Sequence, residues 1–128
     1  MTTQEWQQRA GSGNWRPASL GEIRCIAQDM LASGARFVAL MVTQTETGGL
    51  RLVWHWDLKG QLFSVESSAS LNAPLPSIVD IYCGADWAER EARDYYAVTF
   101  EGRASTPPLM LREGDAPGVL LHWEGGRP

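Results

Sequence analysis

A chain of 128 residues and 14.1 kDa has room for one domain, since domains usually run to about 100–150 residues. With 44% hydrophobic and 20% charged residues it is composed as a globular protein, neither disordered nor fibrous, and no apolar run approaches the roughly 20 residues that span a bilayer. Eleven basic residues against fifteen acidic give a net charge of −4, which argues against a nucleic-acid surface built on counterion release.

Residues 1–16 carry Gly11, Ser12 and Gly13 with little periodicity and read as a flexible arm, although Trp6 and Trp15 are large groups to leave in water. The stretch reads as polar, without an apolar segment of the secretory type, so the expectation is that the chain stays in the cytoplasm. Ser19 followed by Glu22 reads as a capping box, and Leu20, Ile23, Ala27, Met30 and Leu31 recur at helical spacing up to Gly34, so a first helix is predicted over about 19–33. From Arg36 the period changes. Phe37 to Val42 is apolar at every position and reads as a central strand covered on both sides. After the turn Thr47-Gly48-Gly49, the residues Leu50, Leu52, Trp54, Trp56 and Leu58 alternate onto one face, as in a strand with one buried side. Lys59-Gly60 turns the chain again, so 36–66 reads as a three-stranded antiparallel meander.

Ile78 to Tyr82 is β-rich and reads as a fourth extended segment. Asp86 with Glu89 resembles a second capping box, opening a helix over about 86–96. Val98-Thr99-Phe100 and Leu109-Met110-Leu111 read as short extended pieces, and the glycines and prolines beyond Arg112 as a flexible tail. The element order predicts an α+β domain of two layers. A mixed, mainly antiparallel sheet of four or five strands packs on two helices, in one unit over 1–128 with an ordered core at about 17–112.

The helix string Ala85-Asp86-Trp87-Ala88-Glu89-Arg90-Glu91-Ala92-Arg93-Asp94-Tyr95-Tyr96 is the most unusual in the chain. At 100° per residue Trp87, Glu91, Tyr95, Ala88 and Ala92 share one side. The other side offers Asp86–Arg90, Glu89–Arg93 and Arg90–Asp94 as i,i+4 ion pairs on a solvated face. Glu91 is the anomaly, a carboxylate among apolar neighbours. It reads either as a side chain snorkelling at the helix edge or as a structural ion pair or interface carboxylate, with Arg103, Arg112 and His55 as candidate donors. Glu89 and Glu91 project about 160° apart, so they cannot flank one scissile bond.

Other chemistries find less support. Cys25 and Cys83 lie far apart, outside any C-x-x-C pair, and read as buried thiols. His55 and His122 lack the spacing of metal ligands. Asp57-Leu58-Lys59 has the outline of a metal-dependent nuclease or hydrolase site, although a charged pair before Gly60 is ordinary turn chemistry. Trp54 and Trp56 share a face with leucines and read as core. Trp6, Trp15 and Trp123 are candidates for contact with another subunit.

The stretch Pro76-Ser77-Ile78, Ala85 to Glu91 with Asp94, Phe100-Glu101-Gly102 and Leu109-Met110-Leu111 resembles the 30 kDa subunit of respiratory complex I, the C subunit of bacterial NADH:quinone oxidoreductase. It also resembles the related small subunits of energy-converting, Ech-type nickel–iron hydrogenases. The E-R-E-x-x-D core after a tryptophan, followed by F-x-G, carries the likeness, which is sharpest over residues 76–111. Ala97 stands where the family usually has Gly, and Gly102-Arg103-Ala104 replaces its Gly-His-Pro. The long C-terminal extension of the complex I subunit is nearly absent, which tilts the likeness toward the compact hydrogenase type.

The resemblance implies a non-catalytic scaffold subunit without a cofactor of its own, bracing the large catalytic or quinone-site subunit beside an iron–sulfur subunit. The partners would carry iron–sulfur clusters and, in the hydrogenase relatives, a nickel–iron centre. Membrane association on the cytoplasmic face would come only through the complex. It also implies that Trp87, Glu89, Arg90, Glu91, Asp94 and Gly102 form the structural and partner-facing motif. A free-standing binding module on the same fold is the other reading, with the hydrolase built on Asp57 and Lys59 behind it.

Overall fold

A computed structural model of the chain describes residues 6–103, 106–112 and 114–121. The meander forms as its alternation predicts. β3 (Arg36–Gln44), β4 (Leu50–Leu58) and β5 (Gln61–Ala69) pair antiparallel, with Leu40 opposite Trp54 and Trp54 opposite Val65. Leu50, Leu52, Trp54 and Trp56 are essentially inaccessible to solvent. They meet Ile23, Ile26, Ala27 and Met30 of the first helix, α1 (Ile23–Ala32), in a single hydrophobic core.

α1 begins through a single 3₁₀ turn, Leu20–Glu22. The Glu22 carboxylate accepts both the Ser19 backbone N–H, at 3.3 Å, and the Ser19 hydroxyl, at 3.0 Å, closing the predicted start. Its end is fixed by Gly34, whose φ of +87° lets Gly34 N donate to Leu31 O and Ala35 N to Met30 O. This is the paired arrangement that satisfies the last carbonyls of a helix.

Three expectations about the sheet are corrected. Residues 7–17 are not a loose arm: β1 (Gln7–Arg9) and β2 (Gly13–Pro17) form a hairpin, and β2 runs parallel to β5. The tryptophans supply the reason. Trp6 is buried edge-on against Phe63, ring centroids 5.0 Å apart, and Trp15 stands edge-on to His55 at 6.0 Å beneath the Arg9 guanidinium. With this hairpin the sheet has five strands in the order β1-β2-β5-β4-β3, a mixed and mainly antiparallel sheet packed against two helices.

β3 is consequently an edge strand and not a central one. Val38, at an irregularity in the β3–β4 register, is 50% exposed and Met41 is 55% exposed. A wholly apolar run does not distinguish a strand covered twice from an edge strand with open apolar side chains. Ile78 to Tyr82, finally, is a turn, with Ile81 N and Tyr82 N donating to Ile78 O. The extended piece before it is β6 (Leu75–Pro76), which pairs parallel with β7 (Phe100–Glu101). The second helix, α2 (Ala85–Tyr96), lies between them in sequence and packs over β3. Cys25 and Cys83 are both exposed, against the expectation of buried thiols; on α1 it is Ile26 and Ala27 that turn to the core beside Cys25.

Candidate functional site

All but Gly102 of the residues predicted to matter lie on α2, whose Ala92 is buried as its apolar pattern suggests but whose acids and tryptophan are not placed as that pattern suggests. Glu89 and Asp94 are buried, at 1% and 0% exposure, whereas Trp87 is 69% exposed and Glu91 is exposed. A carboxylate can be buried only where donors replace its lost water, and here they come from segments distant in sequence. Glu89 accepts the Ser77 hydroxyl at 2.7 Å, the Ile78 backbone N–H at 2.9 Å and Arg103 Nη1 at 3.1 Å. Arg103 turns its other nitrogen, Nη2, to Asp86 at 2.6 Å. Asp86 therefore does not cap the helix: the cap residue is Gly84, with no side-chain bond, and no Asp86–Glu89 capping box forms.

Arg103 is delivered by Gly102, whose φ of +90° turns the chain at the end of β7 in a conformation that glycine adopts freely. Arg103 thereby supplies the guanidinium that joins the two acids. On the opposite side of the 77–80 turn, Arg24 of α1 donates to Ser77 O at 2.6 Å and grips Asp80 with both terminal nitrogens at 2.8 Å. The guanidinium holds the Asp80 carboxyl below the usual carboxylate range, as Arg103 does for Asp86.

Asp94 gathers the chain beyond β7. One carboxylate oxygen accepts three successive backbone N–H groups, Leu109 at 3.0 Å, Met110 at 2.6 Å and Leu111 at 3.2 Å, and the other takes Arg93 Nη1 at 3.0 Å. Leu109 to Leu111 is therefore a loop wrapped on a carboxylate and not a strand. Burial alone would raise the Asp94 carboxyl, but these donors outweigh it and its pKa is lowered. The Asp94 carbonyl accepts Gly118 N and Val119 N, and the Tyr95 carbonyl accepts Leu120 N, so the segment up to 121 is strapped to the end of α2. Arg90 adds a bond from Nη2 to Pro108 O at 2.7 Å.

Of the three helical ion pairs read from spacing, Asp86–Arg90 closes at 3.4 Å. Arg93 turns to its neighbour Asp94, and Arg90 to Pro108. None of the three donors proposed for Glu91 reaches it: Arg103 serves Asp86 and Glu89, Arg112 pairs with Asp115, and His55 Nδ1 lies 2.7 Å from Ser64 Oγ. Arg24 and Pro108 are participants that the sequence did not point to, and Ser77 entered only through the family resemblance; acids followed by irregular, glycine- and proline-rich chain are the available signal. At the other end of the fold, one oxygen of Asp57 accepts Gly60 N at 2.9 Å and the other Arg36 Nε at 2.8 Å, while Lys59 has φ +52° in the hairpin turn. Asp57 and Lys59 thus serve the turn, and the hydrolase reading loses its carboxylate.

Ala97 ends α2 in the left-handed region, φ +56°, the conformation for which glycine is favoured at this position. Ala97→Gly is therefore expected to stabilise the chain by about 1 kcal/mol, read as a shift of the urea midpoint at constant slope; a loss of stability would refute the strain.

The family model described as "Respiratory-chain NADH dehydrogenase, 30 Kd subunit" matches residues 18–119. Among curated relatives, the C subunit of the NADH-quinone oxidoreductase of Sinorhizobium medicae (strain WSM419) is 46% identical over 56 residues, 44% of this chain and 28% of that protein. Its counterpart from Burkholderia mallei (strain SAVP1) is 35% identical over 81 residues, 63% of this chain and 36% of that protein. The match thus spans between 28% and 36% of these relatives' length. Among solved structures, a chain of the membrane-bound sulfane sulfur reductase, an archaeal respiratory membrane complex, shares the fold with a TM-score of 0.69. That likeness covers 86% of this chain and 69% of the other at 23% identity.

Proposed function

This chain belongs to the family of the respiratory-chain NADH dehydrogenase 30 kDa subunit, and from that premise we propose that it is a non-catalytic scaffold subunit of a membrane-associated electron-transfer complex. The complex is of the NADH:quinone oxidoreductase or energy-converting hydrogenase type, and the chain braces its large catalytic or quinone-site subunit. The observation that carries this reading is the engagement of the α2 acids. Asp86, Glu89 and Asp94 each hold guanidinium groups or backbone N–H donors of this same chain, which suits them to fixing a surface more than to meeting a substrate.

Among the described residues no helix is long and apolar enough to cross a membrane. On this reading the chain reaches the cytoplasmic face of the membrane through its partners, and the iron–sulfur clusters and any nickel–iron centre belong to those partners. The experiment is affinity isolation of the tagged full chain from its native membranes. A large hydrogenase-like or quinone-site subunit and an iron–sulfur subunit should elute with it in near-equal amounts, with iron in proportion. Elution of the chain by itself would sink the reading.

A further inference from the structure

Of the four acids on α2, three are engaged within the chain. Glu91 is exposed and none of the ion pairs and hydrogen bonds among the described residues takes it. One turn before it stands Trp87, 69% exposed, and one turn after it Tyr95, so the three side chains follow one another along a single stripe. Beside the stripe a groove of about 120 Å³ separates α2 from the edge strand β3, with Leu40, Met41 and Val42 on one wall and Glu91 and Tyr95 on the other. An exposed indole, a carboxylate without a partner among the described residues and an open apolar groove thus share one face.

We propose that this face receives a basic segment of a partner chain: a guanidinium or ammonium lies on the Trp87 indole and pairs with Glu91, while an apolar side chain beside it enters the groove between Met41 and Tyr95. The inference rests on the subunit reading above and adds which surface docks and what chemistry docks there. Charge selects the occupant. The chain carries −4 overall, and a carboxylate at the rim of an apolar groove favours a cation from the partner. An exposed indole accepts a cation over its ring, as Trp15 already does for Arg9, whose guanidinium carbon lies 4.5 Å from the ring centroid. A second copy meeting the same stripe about a two-fold axis would bring two Glu91 carboxylates into one patch, and an anionic lipid surface would meet the same repulsion.

The test uses the intact complex isolated through the full chain, with a photoreactive aromatic introduced as Trp87→p-benzoylphenylalanine and the crosslinked peptides identified by mass spectrometry. The expected product joins this chain to one partner segment that carries an arginine or lysine within about two residues of the crosslink. In the same background Glu91→Lys should lower the yield at least about tenfold and Glu91→Gln several-fold. Both variants should keep the parent's melting temperature, and Leu120→Ser, at an exposed apolar position outside the groove, should leave the yield unchanged. An acidic or uncharged partner segment, a crosslink between two copies of this chain, no crosslink, or a yield indifferent to Glu91 would each overturn the docking site. Recovery of the intact complex in those cases would leave the subunit reading standing; failure to recover any complex overturns both.

Discussion

Asp94→Ala is expected to destabilise the chain by about 3–5 kcal/mol, because it removes one carboxylate and strands several donors at once. The side chain is fully buried, and three backbone N–H groups and the Arg93 guanidinium converge on it. A buried donor without a partner costs about 1–3 kcal/mol. The loop 108–112 can swing toward water, however, so the separate costs do not add fully. The same change should expose the amides of Leu109, Met110 and Leu111 to hydrogen exchange while those of β4 stay protected, since the core of Trp54 and Trp56 is built without Asp94. Asp94→Asn keeps the shape and one acceptor but presents an NH₂ group to Arg93, and should cost about 1–3 kcal/mol. An effect of Asp94→Ala below about 1 kcal/mol in urea unfolding would show that the strap contributes nothing to the folded state.

The pH dependence follows with a definite sign. The folded-state pKa of Asp94 is lowered by its donors against the opposing effect of burial, and that of Asp86 is lowered chiefly by Arg103. A carboxyl whose folded pKa lies below its unfolded value of about 3.9 contributes stability that is fully present above that value. The contribution disappears as pH falls through the folded pKa. The wild-type chain should therefore lose stability progressively below about pH 5, and the Asp94→Asn variant should lose less over the same window.

How far the sequence revealed this arrangement depends on the reach of the interactions. The meander, the Ser19–Glu22 start of α1 and its Gly34 end are legible because each is decided within a few residues by period, cap or turn. The facing of α2 is not, because a periodicity argument assigns charged residues to water. Glu89 is satisfied by Ser77 and Ile78, separated from it by 12 and 11 positions, and Asp94 by amides 15 to 17 positions away. The apolar-looking stripe of Trp87 and Tyr95 is left to face outward for the same reason. The N-terminal hairpin was hidden differently: only Trp6 and Trp15 hinted that residues 7–17 have a surface to pack on, and β2 finds its partner β5 almost fifty residues later.

Glu89→Ala is the second large effect, again about 3–5 kcal/mol, and a double-mutant cycle separates its causes. Glu89 ties the turn before α2, through Ser77 Oγ and Ile78 N, to the turn after β7, through Arg103. Removing it leaves the largely buried Arg103 guanidinium to Asp86. If the cost lies in the ion pair, Arg103→Met should recover part of it and the cycle should give a coupling of about 1–3 kcal/mol; additive effects would assign the loss to Ser77 and Ile78 instead. The consequence for assembly distinguishes this buried acid from its exposed neighbour. Glu89→Ala should reduce stability and partner recovery together, because α2 loses its fixed attitude on β3. Glu91→Gln should reduce recovery at an unchanged melting temperature. Should the two variants behave alike in both measurements, α2 would not divide into an anchoring face and a docking face.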